Sequence, residues 1–349
     1  MTDSFKTMPR HWAVWVVLLA AAGSAALTTG TRSTMSLFLG SINTSTQLGL
    51  GSISLAFAVG QLFWGLTQPF AGAMADRVGA GRVLLIGLTL VALGVFITPW
   101  MTSTWGLIFA IGLLCSGGAG MAGPAVLMAA AMRMIPAERR GMATGIVNAG
   151  GSVGQFVMAP IAGALLLGLG WVSAMHALAL LMLLALPAAW VLGGRPPVAA
   201  AAAVAPLGAW AAIRIALRNP SYLMLAAGFF VCGFHVAFLS IHLPGVVAAC
   251  GLPLQYGAWS LAMLGLFNIF GSLAMGWAVG RWRMKSLLSL VYAARALAVL
   301  LFLLSPKTGT VMLVFAAFMG LTFLSTVPPT VGLVAKFSAP AIWPRCSAL

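Results

Sequence analysis

Carboxylate side chains are almost missing from this sequence of 349 residues, in which Asp3, Asp76 and Glu138 are the only three. Charged residues of both signs make up 6% of the chain, whereas 62% is hydrophobic and the mean hydropathy is +1.07. A water-soluble globule cannot enclose that much apolar surface. The scarcity of charge therefore excludes a soluble domain and indicates that a lipid bilayer surrounds the chain.

Residue patterns that support catalysis or metal binding are also missing. The four cysteines are widely spaced and match no CxxC, zinc or haem pattern. The segment GAGMAG from Gly118 fits the spacing of a dinucleotide-binding loop, but it lies in an apolar run with no strand before it. We therefore expect packing roles for the cysteines and for these glycines. We expect neither an enzyme nor a bound cofactor or metal.

Ten apolar stretches are present instead, each with the roughly 18 or more residues needed to cross a hydrocarbon core of about 30 Å. They are rich in Leu, Ala, Met and Gly and do not alternate with polar residues, so we predict helices. A cleaved signal is a poor interpretation of the first stretch, because its apolar character continues to Leu39. The predicted spans are residues 12–38, 51–74, 83–101, 105–132, 142–168, 171–193, 221–244, 257–279, 286–304 and 308–335.

The net charge of +15 follows the predicted topology. All but three of the 18 Lys and Arg residues lie at the N-terminus, in alternate loops or in the C-terminal tail. The exceptions are Lys307 in an opposite loop, and Arg32 and Arg295 within spans. This asymmetry predicts a cytoplasmic N-terminus. The basicity therefore reflects orientation in the membrane and does not indicate a nucleic-acid partner.

A segment with paired prolines, an alanine run and three arginines separates the sixth and seventh spans, and it predicts two halves. We assign residues 1–193 to an N-terminal six-helix bundle, 194–220 to a cytoplasmic linker and 221–335 to a C-terminal bundle of four helices. An internal repeat supports this division. The segment GAMADRVGAGR from Gly72 has a degenerate counterpart, GWAVGRWRMK, from Gly276, and each follows the second span of its half.

The segment GAMADRVGAGR resembles the loop that joins the second and third helices in the major facilitator superfamily. The number of spans, the loop charges, the linker and the repeat agree with this resemblance, which covers about residues 12–335. The stretches RSTMSLFLG, SLAFAVGQLFWGLTQPFAGAMADR and YAARALAVLLFLL resemble bacterial carriers related to the monocarboxylate and oxalate–formate transporters. The resemblance implies an all-α polytopic secondary carrier of a small organic anion in the bacterial inner membrane.

Gly72, Asp76, Arg77, Gly79 and Arg82 form the gating motif that this resemblance implies. We expect Gly72 to allow close approach of a neighbouring helix and Gly79 to allow a tight turn. The resemblance implies that Asp76 is a latch that holds the cytoplasmic side closed during alternating access. A plain topology signal is the alternative. The expected partners of the carboxylate are a helix N-terminus or Arg133, Arg139 and Arg140.

Arg32 and Arg295 are the candidate substrate-binding residues, because a cation at membrane depth is costly and usually faces a cavity. No acid lies inside any predicted span to neutralise them. A guanidinium matches a carboxylate, so we predict that an anionic substrate supplies the missing charge. For Arg32, which lies in the outer half of its span, extension toward the outer membrane surface is the alternative.

His235 and His242 lie seven residues apart in the seventh span, so both can face one side of a helix. Hydrogen bonds to a neighbouring helix and proton coupling are the two interpretations, since histidine titrates near neutral pH. A counter-anion is the other candidate for coupling. His176 is assigned to packing. Five amide side chains either line a cavity or bond between helices: Gln61, Gln68, Asn148, Gln155 and Asn268.

Small residues repeat along GIVNAGGSVGQFVMAP in the fifth span and predict close packing against another helix. Some exporters of the superfamily have a similar Gly- and Pro-rich helix, so an efflux carrier of another small molecule is an alternative function.

The superfamily pattern has twelve helices, whereas ten are predicted here. We expect residues 336–349 to be an aberrant tail that follows a frameshift near Phe337, which leaves the four-helix half incomplete. Codons can be chosen for APAIWPRCSAL that encode the start of an eleventh helix in another frame. A truncated remnant without transport activity is therefore a further alternative.

Overall fold

The computed structural model of the chain describes residues 10–135, 140–193, 214 and 217–338. In this part of the chain all regular structure is helical. Ten stretches within it are long and apolar enough to cross a membrane, and each overlaps a predicted span, so the prediction of ten helical spans is confirmed. The spans are Val14–Thr46, Leu50–Val78, Ala80–Trp100, Thr104–Ala131, Gly145–Leu169, Trp171–Val191, Pro220–Ala249, Leu254–Val279, Met284–Leu304 and Gly309–Thr330.

Several spans contain more than one helix. The α-helices are α1 (Arg10–Thr34), α2 (Leu39–Thr46), α3 (Leu50–Val78), α4 (Ala80–Ile97), α5 (Thr104–Leu107), α6 (Gly118–Met121), α7 (Pro124–Met134), α8 (Arg140–Leu169), α9 (Trp171–Leu183), α10 (Leu186–Val191), α11 (Pro220–Ala249), α12 (Leu254–Val279), α13 (Met284–Leu304), α14 (Gly309–Thr322) and α15 (Val327–Ser338). The 3₁₀ segments are Met35–Phe38 and Thr98–Trp100, and Ile108–Gly117 is a π-helix.

The chain divides into two compact units. The first comprises Met1–Pro197 and Ser240–Gly265, and the second comprises Val198–Leu239 and Leu266–Leu349. The division into a six-helix bundle and a four-helix bundle stays a prediction. Of the predicted linker at 194–220 only residues 214 and 217–220 are described, and of the predicted tail at 336–349 only residues 336–338.

The glycine-rich stretch of the fifth span packs against the first span. A Cβ atom added at Gly150 would lie 2.5 Å from the carbonyl oxygen of Ala22, and one added at Gly154 would lie even closer to that of Ala26. The backbones of α1 and α8 therefore touch where side chains larger than hydrogen cannot fit. The prediction that this stretch packs closely against another helix is confirmed.

The GAGMAG glycines also serve close packing, as predicted. A Cβ atom added at Gly118 would lie 2.7 Å from the carbonyl oxygen of Gly87, and one at Gly120 would lie 2.7 Å from that of Trp64. The fourth span is not one regular helix, however. It passes from the π-helix through α6 to a break at Ala122 and Gly123, after which Pro124 opens α7. Proline has no N–H to donate, so the first position of a helix suits it.

The tenth span breaks at Phe323–Thr326, between α14 and α15. Pro328 and Pro329 follow the break, and neither has an N–H that could bond the carbonyl groups of Leu324 and Ser325. A continuous α-helix would leave these carbonyl groups without partners at membrane depth. The double proline therefore explains why the helix stops and begins again.

The expectations for the two glycines of the gating motif have different outcomes. Gly79 joins α3 to α4 with φ +97°, a conformation that residues with a side chain rarely adopt, so the predicted tight turn is confirmed. Gly72 has no described atom within 4 Å of the position that a Cβ would take. The expected close approach of a neighbouring helix at Gly72 is therefore not found among the described residues.

Replacing Gly154 with alanine should destabilise the chain by about 1–3 kcal/mol, because the new methyl group overpacks the contact between α1 and α8. The matched control is Gly145→Ala in the same helix, where no atom of the described residues lies within 4 Å of the added Cβ. Thermal unfolding of the purified chain in detergent would measure the difference. Equal melting temperatures for the two variants would contradict the packing account.

Candidate functional site

A small cavity in the first unit is lined by residues from the first, second, fourth and seventh spans. Its volume is about 20 Å³, which is room for a single water molecule. Any larger molecule can bind here only after the surrounding side chains move. The polar residues of the lining are Arg32, Ser33, Ser36, Gln61, Ser116 and Ser240.

Two irregular helical segments contribute to this cavity. The 3₁₀ segment Met35–Phe38 contributes Met35 and Ser36, and the π-helix Ile108–Gly117 contributes Cys115 and Ser116. Irregular turns of this kind change the direction of side chains and are frequent at functional sites. The sequence pattern showed the spans but not these local changes of helix type.

Three of the serine hydroxyl groups in the cavity are already used as donors. Ser33 donates to the carbonyl oxygen of Gly30 at 2.9 Å, Ser36 donates to that of Ser33 at 3.0 Å, and Ser116 donates to that of Ile111 at 2.9 Å. Each hydroxyl group has a single proton, so these oxygens can only accept further bonds. Arg32 is therefore the cationic donor of the cavity.

Arg32 is directed toward the second span. Its Nη1 donates a hydrogen bond of 3.1 Å to Oε1 of Gln61, and its Cζ lies 4.4 Å from the centre of the Trp64 ring. The amide and the aromatic ring thus hold the guanidinium from its edge and from one face. These contacts do not fit the alternative in which Arg32 simply extends to the outer membrane surface.

No described carboxylate lies near Arg32. Of the three acids, only Asp76 is described. It lies on α3, the helix that contains Gln61, near the end of that helix. At about 1.5 Å per residue, Asp76 lies about 22 Å along the helix axis from Gln61. Asp3 and Glu138 lie outside the described residues. Within the described chain, the neighbours of the Arg32 guanidinium are therefore neutral.

Arg295 lies in the second unit and has different neighbours. Its side chain is buried, and Nη2 donates to the carbonyl oxygens of Thr322 and Phe323, the latter at 2.7 Å, while Nη1 donates to Sγ of Cys232 at 3.4 Å. These carbonyl groups end α14 at the break in the tenth span. A cation is favoured at such a C-terminus, where carbonyl groups lack helical partners.

The contacts of Arg295 thus stabilise the helix break, a role that the sequence analysis missed. Pro328 and Pro329 were a signal for the break itself, and a helix that ends at membrane depth has terminal carbonyl groups in need of other donors. Binding of substrate by Arg295 stays a prediction. Asn268 acts at the same break: its Oδ1 accepts a bond of 3.0 Å from the backbone N–H of Leu324. For Asn268 the inter-helix role is therefore confirmed.

Three of the histidines have different surroundings. His235 and His242 both lie on α11 and are partly buried, and the His235 ring centre is 6.2 Å from that of Phe234. Their part in proton coupling stays a prediction. The His176 ring lies 4.6 Å from Phe96 and 5.1 Å from Trp100, so its assignment to packing is confirmed.

The charged residues of the gating motif are exposed around the turn at Gly79. Asp76 and Arg77 belong to the last turn of α3, and Arg82 to the first turn of α4. The expected arginine partners of Asp76 have side chains outside the described part of the chain. The latch therefore stays a prediction.

Comparison with protein families gives a match to the Major Facilitator Superfamily over residues 16–342. Monocarboxylate transporter 13 of Rattus norvegicus is 24% identical over 265 residues, which are 75% of this chain and 60% of the rat protein. The multidrug resistance protein Stp of Mycobacterium tuberculosis is 30% identical over 110 residues, which are 31% of this chain and 20% of that protein. The chain thus spans less than two thirds of the length of these relatives.

Solved transporter structures share the fold. The nucleoside transporter NupG superposes with a TM-score of 0.75 at 14% identity, over 95% of this chain and 84% of that chain. A D-xylose–proton symporter gives a TM-score of 0.61 at 13% identity, over 94% and 88% of the two chains. Identities this low show a common fold and leave the substrate open.

Replacing Arg295 with alanine should destabilise the chain by about 2–3 kcal/mol, because buried carbonyl groups at the helix break lose their donor. Cys232, which contacts Arg295, should also react faster with a thiol reagent in a chain whose other cysteines are serine. The control is Arg281→Ala, which removes an exposed arginine stacked at 3.8 Å on Trp277. Unchanged stability and unchanged thiol reactivity in Arg295→Ala would contradict the capping role.

Proposed function

Because the chain belongs to the major facilitator superfamily, we propose that it is a secondary carrier that moves a small organic anion, a monocarboxylate, by alternating access. The single observation that carries this proposal is Arg32, a guanidinium that lines a cavity in the first unit with only neutral neighbours in the described chain. A cation in a membrane span is costly unless an opposite charge approaches it. A carboxylate supplies that charge and fits the planar fork of donors.

The relatives support the transport class more strongly than the substrate. The rat relative is named for monocarboxylates, which agrees with the chemistry of Arg32. The structural neighbours are named for a nucleoside and for xylose, and neither name suggests a charged substrate. The substrate proposal therefore depends on Arg32 and on the resemblance of the flanking sequence. A proton, through His235 or His242, or a counter-anion is the proposed coupling ion.

Orientation and location follow from charge and resemblance. The basic residues concentrate on one side of the ten spans, so we place the N-terminus in the cytoplasm. The resemblance to bacterial carriers supports our proposal of a location in the bacterial inner membrane.

Efflux of another small molecule is the second candidate function. The close packing of the glycine-rich fifth span on the first span and the similarity to Stp, a multidrug resistance protein, favour it. Liposomes that accumulate carboxylates would separate the two candidates, because an exporter of neutral or cationic drugs would not accumulate them. A chain without transport of any substrate is the remaining alternative.

Replacing Arg32 with alanine should lower the initial rate of monocarboxylate uptake into proteoliposomes at least tenfold. This is the loss expected when a charge-assisted hydrogen bond of about 1.5–3 kcal/mol is removed. Arg32→Lys should retain part of the rate, since it keeps the charge without the fork. Arg281→Ala is the control for removal of an arginine. Unchanged uptake in both Arg32→Ala and Arg295→Ala would disprove the assignment of the anion site.

Neutralising the proposed latch in Asp76→Asn should shift the carrier toward the inward-open state, because contacts that form only on the closed side lose their charge. Cysteines introduced at the cytoplasmic mouth should then be labelled several-fold faster. Asp76→Glu keeps the charge and should label like the parent chain. If the parent chain, Asp76→Asn and Asp76→Glu are all labelled at the same rate, Asp76 serves only as a topology signal.

A further inference from the structure

Gln61 is the residue that bonds Arg32 inside the cavity. Gln61 and Trp64 lie three residues apart on α3, so they stand on neighbouring turns of one helix face. The amide oxygen of Gln61 meets the edge of the guanidinium at 3.1 Å, and the ring of Trp64 lies against its face at 4.4 Å. The helix α3 therefore determines where the Arg32 guanidinium is held in the cavity.

The amide oxygen of Gln61 has the same geometry as a carboxylate oxygen. Both are planar sp² acceptors, and they differ in charge. A carboxylate adds its own opposite charge to a bond that Gln61 makes with the charge of Arg32 alone, and it can take two parallel bonds from the guanidinium. A carboxylate therefore gains free energy by replacing Gln61 at Arg32, whereas a neutral amide or hydroxyl group offers nothing that Gln61 does not already provide.

The size of the cavity requires side chains of its lining to move before a carboxylate can enter. With room for a single water molecule, it cannot admit a carboxylate beside Arg32 while the lining keeps its present arrangement, and Gln61 is the lining residue that already bonds Nη1 of Arg32. The hydroxyl groups of Ser33, Ser36 and Ser116 are committed to backbone carbonyl groups, so they do not compete as donors for an incoming anion. A charged and a neutral molecule therefore differ most in the free energy that each gains by displacing Gln61 from Arg32.

We propose that Gln61 is a specificity-determining residue. Its neutral amide occupies Arg32 in place of a carboxylate, so uncharged molecules do not bind Arg32 and only an anion displaces the amide. This inference rests on the proposed function, since it concerns selection at the same site. On this proposal, one residue lets a chain with the fold of nucleoside and sugar transporters select an anion. The selection lies in a residue of the second span, which the sequence analysis could assign only to a cavity or to an inter-helix bond.

The test compares acetate with acetamide, which have the same shape and differ in charge, in proteoliposomes that contain the full chain. The parent chain should take up acetate, and acetamide should not compete. Gln61→Ala should bind acetate about tenfold more tightly, because Arg32 no longer gives up a hydrogen bond, and acetamide should now compete. Gln61→Glu should take up neither, because its own carboxylate occupies Arg32.

Gln68→Ala is the matched control, because Gln68 lies two turns further along α3 and donates to the backbone of its own helix at 3.2 Å. It should behave like the parent chain. If both Gln61 variants also behave like the parent while acetate uptake is normal, the inference is overturned and the proposed function stands. If the parent chain takes up no monocarboxylate, the proposed function and the selection at Gln61 fail together.

A second measurement tests the contact without any substrate. Gln61→Glu should raise the melting temperature of the purified chain, because the introduced carboxylate and Arg32 form an ion pair within the protein. The same change in an Arg32→Gln background should not raise it. Additive effects of the two substitutions in this double-mutant cycle would show that Gln61 does not hold Arg32 and would overturn the inference.

Discussion

Polar groups within a membrane span must find their partners inside the protein, because hydrocarbon offers none. This constraint explains the surroundings of both intramembrane arginines. Arg295 donates to backbone carbonyl groups at the broken tenth span, so its donors and those acceptors satisfy each other. Arg32 meets a neutral amide and an aromatic ring, which leaves its charge without a counter-charge in the described chain. The same residue type thus stabilises a backbone in one unit and is the binding group that we propose in the other.

Departures from regular α-helix coincide with these polar groups. The break at Phe323–Thr326 exposes the carbonyl groups that Arg295 and Asn268 serve, while the π-helix Ile108–Gly117 and the 3₁₀ segment Met35–Phe38 border the cavity at Arg32. A regular helix bonds its own backbone completely and has little to offer another group. Local irregularity therefore creates both the need for a buried cation and the space in which one can bind a ligand.

The fold by itself does not determine the substrate. Transporters named for a nucleoside and for xylose share it at 14% and 13% identity. What differs among such proteins is the small set of side chains in the cavity. Here that set contains one cation, three serine oxygens that can only accept, and an amide that already bonds the cation, and our proposal of an anionic substrate rests on this combination.

Sequence patterns determined the features that depend on composition and on neighbouring residues. The ten spans, the turn at Gly79 and the packing glycines of the fourth and fifth spans all follow from local chemistry, and the structure confirms them. Tertiary structure decided which side chain faces which. It paired Arg32 with Gln61, placed Arg295 at a helix end and left Gly72 without a close neighbour among the described residues. Contacts between residues that are distant along the chain depend on how helices rotate and pack, and hydropathy carries almost no information about rotation in a helix that is apolar on every side.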